Sequence, residues 1–369
     1  MFEPPDGGVA ENVMRLAMGL GGRGWEVSVA GPERAVTYRP LAEAGIPVER
    51  LPLERGYGHP LRDARALRRL AGVMRRGRYD LTHAHSAKAG VLGRLAAAAT
   101  RTPAVYSPHC FPFVGPWGLP RRAFSTGVER ALAPLTRKIL CVADQERSLA
   151  LEKHVGRAEK LVVVHNGSEP CEEGLDPDPE LAAFATEGPL AACITALRPQ
   201  KAVHVLVEAA PAVLERVPEA RLAVIGNGEL RGELEARAAE LAVGPQLRFF
   251  DFHAPAARQL RSLDVFVLPS AWEAFPISVL EALACGVPQV ATDVGGTSEA
   301  VGEGETGLLC PPNDPAALAD RIVELLRDPG RRERLAAASR QRHRERFLLE
   351  RMIDETAAVY EGVVAKARG

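Results

Sequence analysis

The sequence lacks the features that mark several specialised classes of protein. No apolar run approaches the roughly 18–20 residues of a membrane-spanning helix, and residues 1–6 are neither basic nor apolar, so we expect no signal peptide. Lysine is scarce, with 6 residues against 40 arginines, and aromatic residues make up 5% of the chain. The remaining composition, 46% hydrophobic and 25% charged, is that of a soluble globular protein and excludes a disordered or fibrous chain.

The cysteines also lack any spacing typical of a zinc site or a disulfide framework. They lie far apart and form no Cys-x-x-Cys pair. We therefore expect reduced, mostly buried thiols in a cytoplasmic protein. The six residues are Cys110, Cys141, Cys171, Cys193, Cys285 and Cys310.

The formal net charge of −1 hides an asymmetry between the two halves of the chain. Residues 1–165 carry 25 basic and 15 acidic side chains, whereas residues 166–369 carry 21 and 32. The basic half could meet an anionic surface or ligand, or the asymmetry could reflect an Arg- and Ala-rich composition. The sequence leaves both interpretations open.

Short apolar runs alternate with amphipathic helical stretches along the chain. Because buried strands that alternate with helices are typical of parallel sheets covered on both faces, we predict two doubly wound α/β domains facing a cleft. We expect one domain at 1–168, a Pro- and Gly-rich linker at 169–189 and a second domain at 190–345. The predicted strands are 26–30, 48–53, 80–84, 104–108, 139–143 and 161–165, then 190–196, 221–225, 247–250, 265–268, 288–291 and 308–310.

The first domain has no room for the strand with which such a domain normally opens. That central strand precedes a glycine-rich turn and a helix, but here the turn at residues 6–8 leaves only Phe2 and Glu3 for it. We expect the first strand to be absent. A start upstream of Met1 is the favoured explanation, because a domain without this strand would have a large gap in its sheet.

Residues 269–299 carry the most specific signal. A helix should start near Pro276, because proline suits the first helical turn, and the backbone amides at a helix start form an anion site. Glu273 in the preceding loop and Glu281 within the helix can face one ligand from different depths. One carboxylate could accept hydrogen bonds from sugar hydroxyls and the other could hold a ribose diol. Two glutamates alone would be incidental, but the flanking Pro-Ser, Ala-Cys-Gly-Val-Pro and Gly-Gly sequences favour a binding site.

This segment resembles the retaining glycosyltransferases of family 4, which have the GT-B fold of two Rossmann-like domains. The resemblance extends over nearly the whole chain and implies that a helix at about 346–369 packs on the first domain. It is carried by residues 6–8, 80–85, 107–109, 164–167, 197–201 and 225–228. The residues it implies for donor binding are Gly7, Gly8, Arg198, Lys201, Gly226, Asn227, Phe275, Pro276, Ile277, Glu281, Gly296 and Thr297.

The resemblance also implies three catalytic residues, Glu273, His109 and Lys201. Lys201, which we expect to open the helix 202–216, could neutralise a diphosphate leaving group. His109 ends a strand, where α/β sheets bind ligands, and would meet the donor sugar together with Glu273.

Two further assignments follow less directly. The family pattern Gly-Arg-Leu-x-Pro-x-Lys places its arginine where this chain has Ala196, so Arg198 would substitute from two residues away. His83 and His85 alternate on one strand, and we expect them to face opposite sides, so that at most one reaches the cleft. We assign neither histidine to the chemistry.

The resemblance implies transfer of a sugar from a nucleotide-diphosphate donor to an acceptor with retention at the anomeric carbon. Double displacement needs a second carboxylate, for which the sequence offers no clear candidate. In the family's favoured route the leaving phosphate deprotonates the acceptor, and the protein acts by electrostatic preorganisation. We expect no metal ion and no cofactor beyond the nucleotide sugar as co-substrate.

The acceptor should sit against the first domain. Residues 61–78 predict a basic amphipathic helix that is compatible with an anionic lipid surface, although an ordinary solvated helix has the same pattern. If it meets lipid, the acceptor is a lipid-linked saccharide, and the enzyme builds cell-envelope polysaccharide or glycolipid at the inner face of the membrane. No nucleic-acid partner is expected. The arginines are Arg62, Arg65, Arg68, Arg69, Arg75, Arg76 and Arg78.

Three other functions remain open. A catalytically inert nucleotide-sugar-binding protein would explain the missing arginine and the missing first strand, and a sugar-nucleotide epimerase can share this architecture. A nicotinamide-dependent oxidoreductase would need a glycine fingerprint between a strand and a helix. Of the two glycine matches, 19–24 closes a helix and 302–307 leads into a short apolar run.

Overall fold

A computed structural model of the chain describes residues 1–54, Gly56 and residues 59–368. Contacts between residues divide it into two compact units, Met1–Asn166 with Leu349–Gly369, and Gly167–Leu348. Within the described residues, no helix is both long and apolar enough to span a membrane.

The first unit contains two parallel sheets, one of order β1-β2 and one of order β3-β4-β5-β6. The strands are β1 Val29–Pro32, β2 Val48–Leu51, β3 Thr82–His85, β4 Ala104–Ser107, β5 Lys138–Cys141 and β6 Leu161–Val163. The helices are α1 Gly7–Gly21, α2 Tyr38–Glu43, α3 Pro60–Gly77, α4 Ala87–Thr100, α5 Leu119–Leu132 and α6 Asp144–Glu152, with 3₁₀ turns at Ala133–Leu135 and Ala158–Lys160.

Two residues at the start of the chain take the place of a central strand in the first unit. Met1 and Phe2 lie between β1 and β3, where Phe2 N donates to Ala30 O at 3.0 Å and His85 N donates to Met1 O at 2.8 Å. Phe2 and His85 form an isolated parallel bridge. Met1 and Phe2 therefore lie at the central position, rather than the Phe2 and Glu3 expected from the sequence.

The second unit contains one parallel sheet of order β12-β11-β10-β7-β8-β9. Its strands are β7 Leu190–Ile194, β8 Arg221–Ile225, β9 Leu247–Phe250, β10 Val265–Leu268, β11 Gln289–Thr292 and β12 Gly307–Cys310. Its helices are α7 Pro179–Ala185, α8 His204–Arg216, α9 Arg231–Glu240, α10 Ala257–Leu260, α11 Ile277–Cys285, α12 Thr297–Ala300, α13 Pro315–Leu326 and α14 Pro329–Arg346, with a 3₁₀ turn at Pro199–Lys201.

The strand order of the second unit reverses between β7 and β10. From this central pair the chain first builds outward through β8 and β9, then outward on the other side through β11 and β12. In open α/β sheets, ligands bind outside the carboxyl ends of the strands at such a reversal. The loops that follow β7 and β10 are therefore the places to look for a site.

The last helix, α15 (Leu349–Arg368), belongs to the first unit. Its buried residues Met352, Ile353 and Tyr360 form one apolar cluster with Leu16 and Leu20 of α1. Burial of large apolar side chains contributes roughly 1.5–3 kcal/mol each, so this helix is an integral part of the unit.

Two of the six cysteines form a disulfide bond. Cys171 and Cys285, 114 residues apart in the chain, have Cα atoms 4.9 Å apart and are bonded through their sulfurs. The expectation of six reduced thiols is wrong for this pair, because chain spacing says nothing of the distance between residues that the fold brings together. Cys110, Cys141, Cys193 and Cys310 are not disulfide-bonded, and all of them except Cys110 are buried.

Candidate active site

Lys201 and Glu273 meet at the reversal point of the second unit. Lys201 ends the 3₁₀ turn that follows β7, and Glu273 lies in the loop that follows β10. The Lys201 ammonium donates from Nζ to Glu273 Oε1 at 2.6 Å. The carboxylate is buried, with 7% of its side chain exposed, whereas the lysine side chain keeps 21% of its surface. The pair thus presents a partly accessible cation backed by a buried anion.

Neighbouring polar groups fix the orientation of the Glu273 carboxylate. Ser270 Oγ donates to the same Oε1 at 2.6 Å, and Gln200 Nε2 lies 3.5 Å from Oε2. Gln200 also joins the two loops, since Nε2 donates to Trp272 O at 3.0 Å. Lysine has three N–H donors, so one bond to Glu273 leaves the Lys201 ammonium with donor capacity for a ligand.

The loop that follows β11 packs tightly against the Glu273 loop. Gly295 has φ of +55°, and a Cβ there would lie 1.8 Å from Glu273 O. Gly296 N donates to Ala274 O at 2.8 Å. Thr297 begins α12, and its buried Oγ1 has no hydrogen-bond partner among the described residues. Glycine is needed here because both the positive φ and the close approach exclude a side chain.

Helix α11 begins beside this ion pair. Pro276 is the N-cap residue and Ile277 the first helical residue, so the helix starts one residue after the expected position. Phe275 and Pro276 are buried. The first-turn amides of a helix have no intrahelical acceptor and carry the positive end of the dipole, which favours an anion. Glu281 lies half-buried within α11.

Other residues predicted to bind the donor lie in the loops after β7 and β8. Ala202 has φ of +44° and α8 begins at His204, so the prediction that Lys201 opens a helix at 202 is wrong. The left-handed residue ends the turn and separates Lys201 from α8. Arg198 is half-buried at the start of the same turn.

The glycine after β8 allows close contact with the loop after β7. Gly226 has φ of +137°, and a Cβ there would lie 2.0 Å from Thr195 O. Asn227 Oδ1 accepts a hydrogen bond from Arg231 Nη1 at 2.9 Å. The sequence analysis named Gly226 and Asn227 as donor-binding residues but gave no sign of the supporting role of Arg231. Arg231 Nη1 also pairs with Asp251 Oδ1 at 2.6 Å.

In the first unit, His109 is half-buried and belongs to a cluster with the buried His83 and His85. Its Nε2 lies 2.9 Å from His85 Nδ1, and the two rings are stacked with centroids 5.2 Å apart. Burial lowers the pKa of His109 to about 4 and holds the pKa values of His83 and His85 well below their usual range. All three imidazoles are therefore neutral near pH 7.

The prediction that His83 and His85 face opposite sides of their strand is wrong. Their ring centroids are 3.8 Å apart. Residues that are two apart in a strand lie on the same face because side chains alternate with a period of two. His83 Nε2 also lies 2.9 Å from Ser107 Oγ of β4.

Glu146 supports the loop that carries His109 and was missed by the sequence analysis. His109 and Cys110 both have positive φ, +49° and +86°, a conformation that costs non-glycine residues free energy and needs support from its surroundings. The buried Glu146 provides it, since Oε1 accepts from Cys110 N and Oε2 accepts from Val142 N, both at 2.8 Å. No sequence motif signals this role.

Gly7 and Gly8 are exposed at the start of α1, and Gly7 has φ of +78°. They thus offer first-turn amides at a second helix start, although Asp6, the N-cap residue, makes no side-chain cap.

Residues 176–178 form an Asp-x-Asp sequence, whose carboxylates are of a type that can bind a metal ion. The contacts of Asp178 argue against that role. Asp178 is buried, accepts from Leu181 N at 3.1 Å as the cap of α7 and lies 2.8 Å from His253 Nδ1. Both carboxylate oxygens are thereby engaged in local structure.

Comparisons with known proteins agree with this architecture. Residues 178–342 match the family model for glycosyl transferases group 1, and residues 7–167 match the glycosyl transferase 4-like domain. D-inositol 3-phosphate glycosyltransferase of Kribbella flavida is 32% identical over 80% of this chain and 74% of its own length. The Escherichia coli UDP-Gal:alpha-D-GlcNAc-diphosphoundecaprenol alpha-1,3-galactosyltransferase is 25% identical over 73% of this chain and 72% of its own.

Solved structures show the same fold. Anabaena HepE in complex with UDP-glucose has a TM-score of 0.82 and 22% identity, over 98% of each chain. Sucrose-phosphate synthase from Thermosynechococcus elongatus has a TM-score of 0.84 and 22% identity, over 99% of this chain and 95% of that one. The chain therefore belongs to the family 4 glycosyltransferases, with two Rossmann-like units of the GT-B fold.

Proposed function

We propose that this glycosyltransferase transfers a hexosyl group, with retention and without a metal ion, from a nucleoside-diphosphate sugar to a saccharide or lipid-linked acceptor. The observation that carries the proposal is the Lys201–Glu273 ion pair at the reversal point of the second sheet. This pair combines a cation for a diphosphate with a fixed carboxylate for sugar hydroxyls.

In the second unit, the charge balance of the site suits a diphosphate. The partly exposed ammonium of Lys201 and the first-turn amides of α11 both favour an anion. Arg198 is proposed to add a second cation. Glu273, held by Ser270 and Lys201, would accept hydrogen bonds from the sugar. Glu281, deeper along α11, would bind the ribose diol.

In the first unit, His109 is proposed to bind the donor sugar as a neutral imidazole. Its low pKa keeps it uncharged near pH 7, so it can donate or accept a hydrogen bond without adding charge. The amides at Gly7 and Gly8 would contribute to diphosphate binding through the start of α1.

Retention is proposed to follow the front-face route. Glu273 is paired with an ammonium and accepts from Ser270 through the same oxygen. A carboxylate held in this way is better suited to binding than to attack on an anomeric carbon. The leaving phosphate would then take the acceptor proton, and the protein would stabilise developing charge by preorganised donors.

The acceptor is proposed to be anionic, and the enzyme is proposed to bind it at the cytoplasmic face of a membrane. All seven arginines from Arg62 to Arg78 are exposed, whereas Leu70, Val73 and Met74 are buried in the unit's own core. Contact of α3 with lipid would therefore be electrostatic rather than insertion. In support, the Kribbella and Escherichia coli relatives are named for acceptors that carry phosphate. No nucleic-acid partner is proposed.

Proton NMR of the reaction tests this proposal. The protein is incubated with a panel of nucleotide sugars and phosphate-bearing saccharide acceptors, in EDTA and in magnesium. We expect the product to keep the donor's anomeric configuration, at equal rates in both conditions. Inversion would refute the retaining assignment, and loss of activity in EDTA that magnesium restores would refute metal independence.

Ala196 favours a second candidate, a nucleotide-sugar-binding protein without transferase activity. It stands where the family pattern has an arginine, and Arg198 lies at the start of the turn. Slow release of free sugar from a bound donor would exclude this candidate. Saturable donor binding without hydrolysis or transfer would favour it.

A further inference from the structure

A cavity in the second unit lies between helix α14 and the turn that precedes β12. This space, the α14 cavity, has a volume of about 530 Å³ and is lined by residues 304–306 of the turn and by one side of α14. None of the residues predicted to bind the donor lines it. Four arginines and two glutamates contribute charge to its walls, which are therefore positive overall. The arginines are Arg331, Arg334, Arg342 and Arg346.

The four arginines share one face of α14 because of their spacing in the chain. At about 100° per residue, all four side chains leave the helix within about 120° of one another. Ala338 lies on the same face, between the first two arginines and the last two. Because its side chain is a single methyl group, the middle of the face is open, and a small molecule can lie against the helix there.

The guanidinium of Arg342 is fixed in the wall of the α14 cavity with one nitrogen left for a ligand. Nε donates to Ala300 O at 3.0 Å and Nη2 donates to Glu299 O at 2.9 Å. Nη1 lies 3.6 Å from Glu305 Oε2, which is longer than a hydrogen bond. The Arg342 side chain is 17% exposed, whereas that of Glu305 is 73% exposed. Glu305 is therefore a hydrated counter-ion that a more highly charged anion can replace.

Arg346 brings a second guanidinium to the same end of the cavity. The guanidinium carbons of Arg342 and Arg346 lie 5.9 and 5.7 Å from the centroid of the Phe347 ring. Burial and the charge of Arg346 both lower the pKa of Arg342. Like charges four residues apart on a helix repel each other, and within the described part of the chain Arg346 forms no ion pair. An anion bound to both groups would remove this repulsion.

The cavity has the size and the hydrogen-bonding groups of a site for a phosphate ester. Its volume lies in the range of about 300–1,000 Å³ that is usual for small-molecule sites. Guanidinium groups bind phosphate through two parallel N–H donors. Gln341 and Glu345 also line the cavity, and Gln341 Nε2 donates to Glu345 Oε1 at 2.8 Å. Amide oxygens accept hydrogen bonds from hydroxyl groups, so the Gln341 side chain suits a sugar beside the phosphate.

We propose that the α14 cavity binds a sugar phosphate, with its phosphate held by Arg342 and Arg346. The phosphate would replace Glu305 beside Arg342 Nη1 and would neutralise both guanidinium groups. The sugar would lie over Ala338, with a hydroxyl group donating to Gln341 Oε1. No residue of the donor site takes part, so the inference goes beyond the proposed function and does not depend on it.

Isothermal titration calorimetry of the full chain tests the proposal, with glucose 6-phosphate, mannose 1-phosphate and fructose 1,6-bisphosphate as probes. An ionic strength of about 0.15 M screens non-specific attraction between exposed charges. We expect at least one of the three probes to bind at a single site per chain, and glucose without phosphate not to bind. Binding of none of the three would overturn the proposal.

Three substitutions locate the site. Arg346→Gln should weaken binding by about 10-fold or more, because it removes charge-assisted hydrogen bonds to the phosphate. Glu305→Gln should strengthen binding by about 3-fold or more, because it removes the anion with which the phosphate competes. Arg344→Gln is the matched control, since Arg344 is an exposed arginine of the last turn of α14 that does not line the cavity. The control should change the affinity by less than about 2-fold.

Lys201→Ala separates the α14 cavity from the donor site. Its affinity for the sugar phosphate should equal that of the parent chain. Loss of binding in Lys201→Ala would place the ligand at the donor site and would overturn the proposal. Equal weakening by Arg344→Gln and Arg346→Gln would also overturn it, because the attraction would then be to the charge of the helix as a whole.

Sedimentation with vesicles of phosphatidylcholine and phosphatidic acid distinguishes a soluble ligand from a lipid headgroup, because phosphatidic acid is also a phosphate monoester. We expect the parent chain and Arg346→Gln to sediment with the vesicles to the same extent. Sedimentation of the parent that Arg346→Gln abolishes would assign these arginines to a lipid surface and would overturn the proposal.

Discussion

At the scale of single residues, the Glu273 carboxylate makes two contacts that depend on its charge, and the charge can be removed while the shape of the side chain is kept. It neutralises Lys201 and it accepts from Ser270. Glu273→Gln keeps the size of the side chain but removes its charge, so the ammonium loses its counter-ion and moves. We expect kcat/KM to fall by about 10²–10³-fold, the usual cost of losing one preorganised electrostatic contact.

Steady-state kinetics of Glu273→Gln measure this effect, with Glu152→Gln as the control. Glu152 is an exposed carboxylate that also pairs with a lysine, Lys153, at 2.6 Å. It should retain the parent kcat/KM within a factor of two or so, since exposed pairs contribute little. An unchanged rate in Glu273→Gln would remove this residue from the site.

The cluster of His83, His85 and His109 predicts that the first unit loses stability in acid. The pKa of His109 is lowered to about 4, and those of His83 and His85 are also lowered, whereas a histidine in the unfolded chain has a pKa near 6.5. Between these values the unfolded state binds more protons than the folded state. The free energy of unfolding should therefore fall as pH decreases from about 6.5 toward 4, by up to about 1.4 kcal/mol per pH unit for each histidine.

Denaturant unfolding from pH 7.5 to 5 measures this dependence. In His109→Asn, the number of protons taken up on unfolding, which sets the slope of the free energy against pH, should fall by about one. A free energy of unfolding that is constant over this range would contradict the neutral state of the three imidazoles. An unchanged slope in His109→Asn would assign the dependence to other groups.

Candidate site residues could be named from local sequence patterns, but the residues that they contact could not. The family resemblance named Lys201 and Glu273 as candidate site residues, because both lie in segments that match the family's local motifs. Their direct contact, the disulfide from Cys171 to Cys285 and the support from Glu146 depend on residues that are distant in the chain. Chain spacing carries no information about such pairs.

At the scale of elements, the position of the Glu273 loop depends on the glycine turn after β11. A Cβ at Gly295 would lie 1.8 Å from Glu273 O, and the positive φ adds strain. We expect Gly295→Ala to displace the loop, lower the Tm and abolish detectable donor binding. Calorimetry of unfolding and of donor binding measures both effects.

Gly232→Ala is the matched control. This glycine lies in α9, where an added Cβ would meet nothing within 4 Å. Alanine in a helix is favoured over glycine by roughly 1 kcal/mol, so stability should rise slightly and donor binding should stay unchanged. If Gly295→Ala behaved like this control, the two loops would not be in contact.

Elements were easier to predict than their ends. Each of the twelve predicted strands overlaps a strand in the described residues, because an apolar run bounded by turn residues is a local signal. The start of α8 at His204 was missed, since the left-handed turn at Ala202 is set by packing of the loop and not by a glycine.

At the scale of the whole molecule, the fold of each unit followed from the alternation of strands and helices, and the family comparisons confirm the GT-B assignment. The shortness of the segment between β1 and β3 also followed, because the glycine turn arrives early in the chain. The disulfide did not, and it constrains the second unit through a loop of 114 residues.

Reduction should therefore destabilise the second unit. Closing a loop of about this length is worth up to about 4–5 kcal/mol in the chain-entropy model. We expect a lower Tm in dithiothreitol, and no effect of dithiothreitol on Cys285→Ser, whose Tm should match that of the reduced parent. Peptide mapping without reduction should recover the linked peptides, and recovery of two free thiols instead would contradict the bond.

We propose above that the second unit binds a nucleoside-diphosphate sugar through Lys201. Thermal-shift titration with a panel that includes UDP-glucose and UDP-galactose tests it most directly, in the parent chain, in Lys201→Ala and in Lys153→Ala as a control lysine. A bound donor at about 100 times its Kd stabilises the folded state by about 2.7 kcal/mol. We expect this stabilisation in the parent and the control and its loss in Lys201→Ala, whereas an undiminished shift in Lys201→Ala would show that Lys201 does not bind the donor.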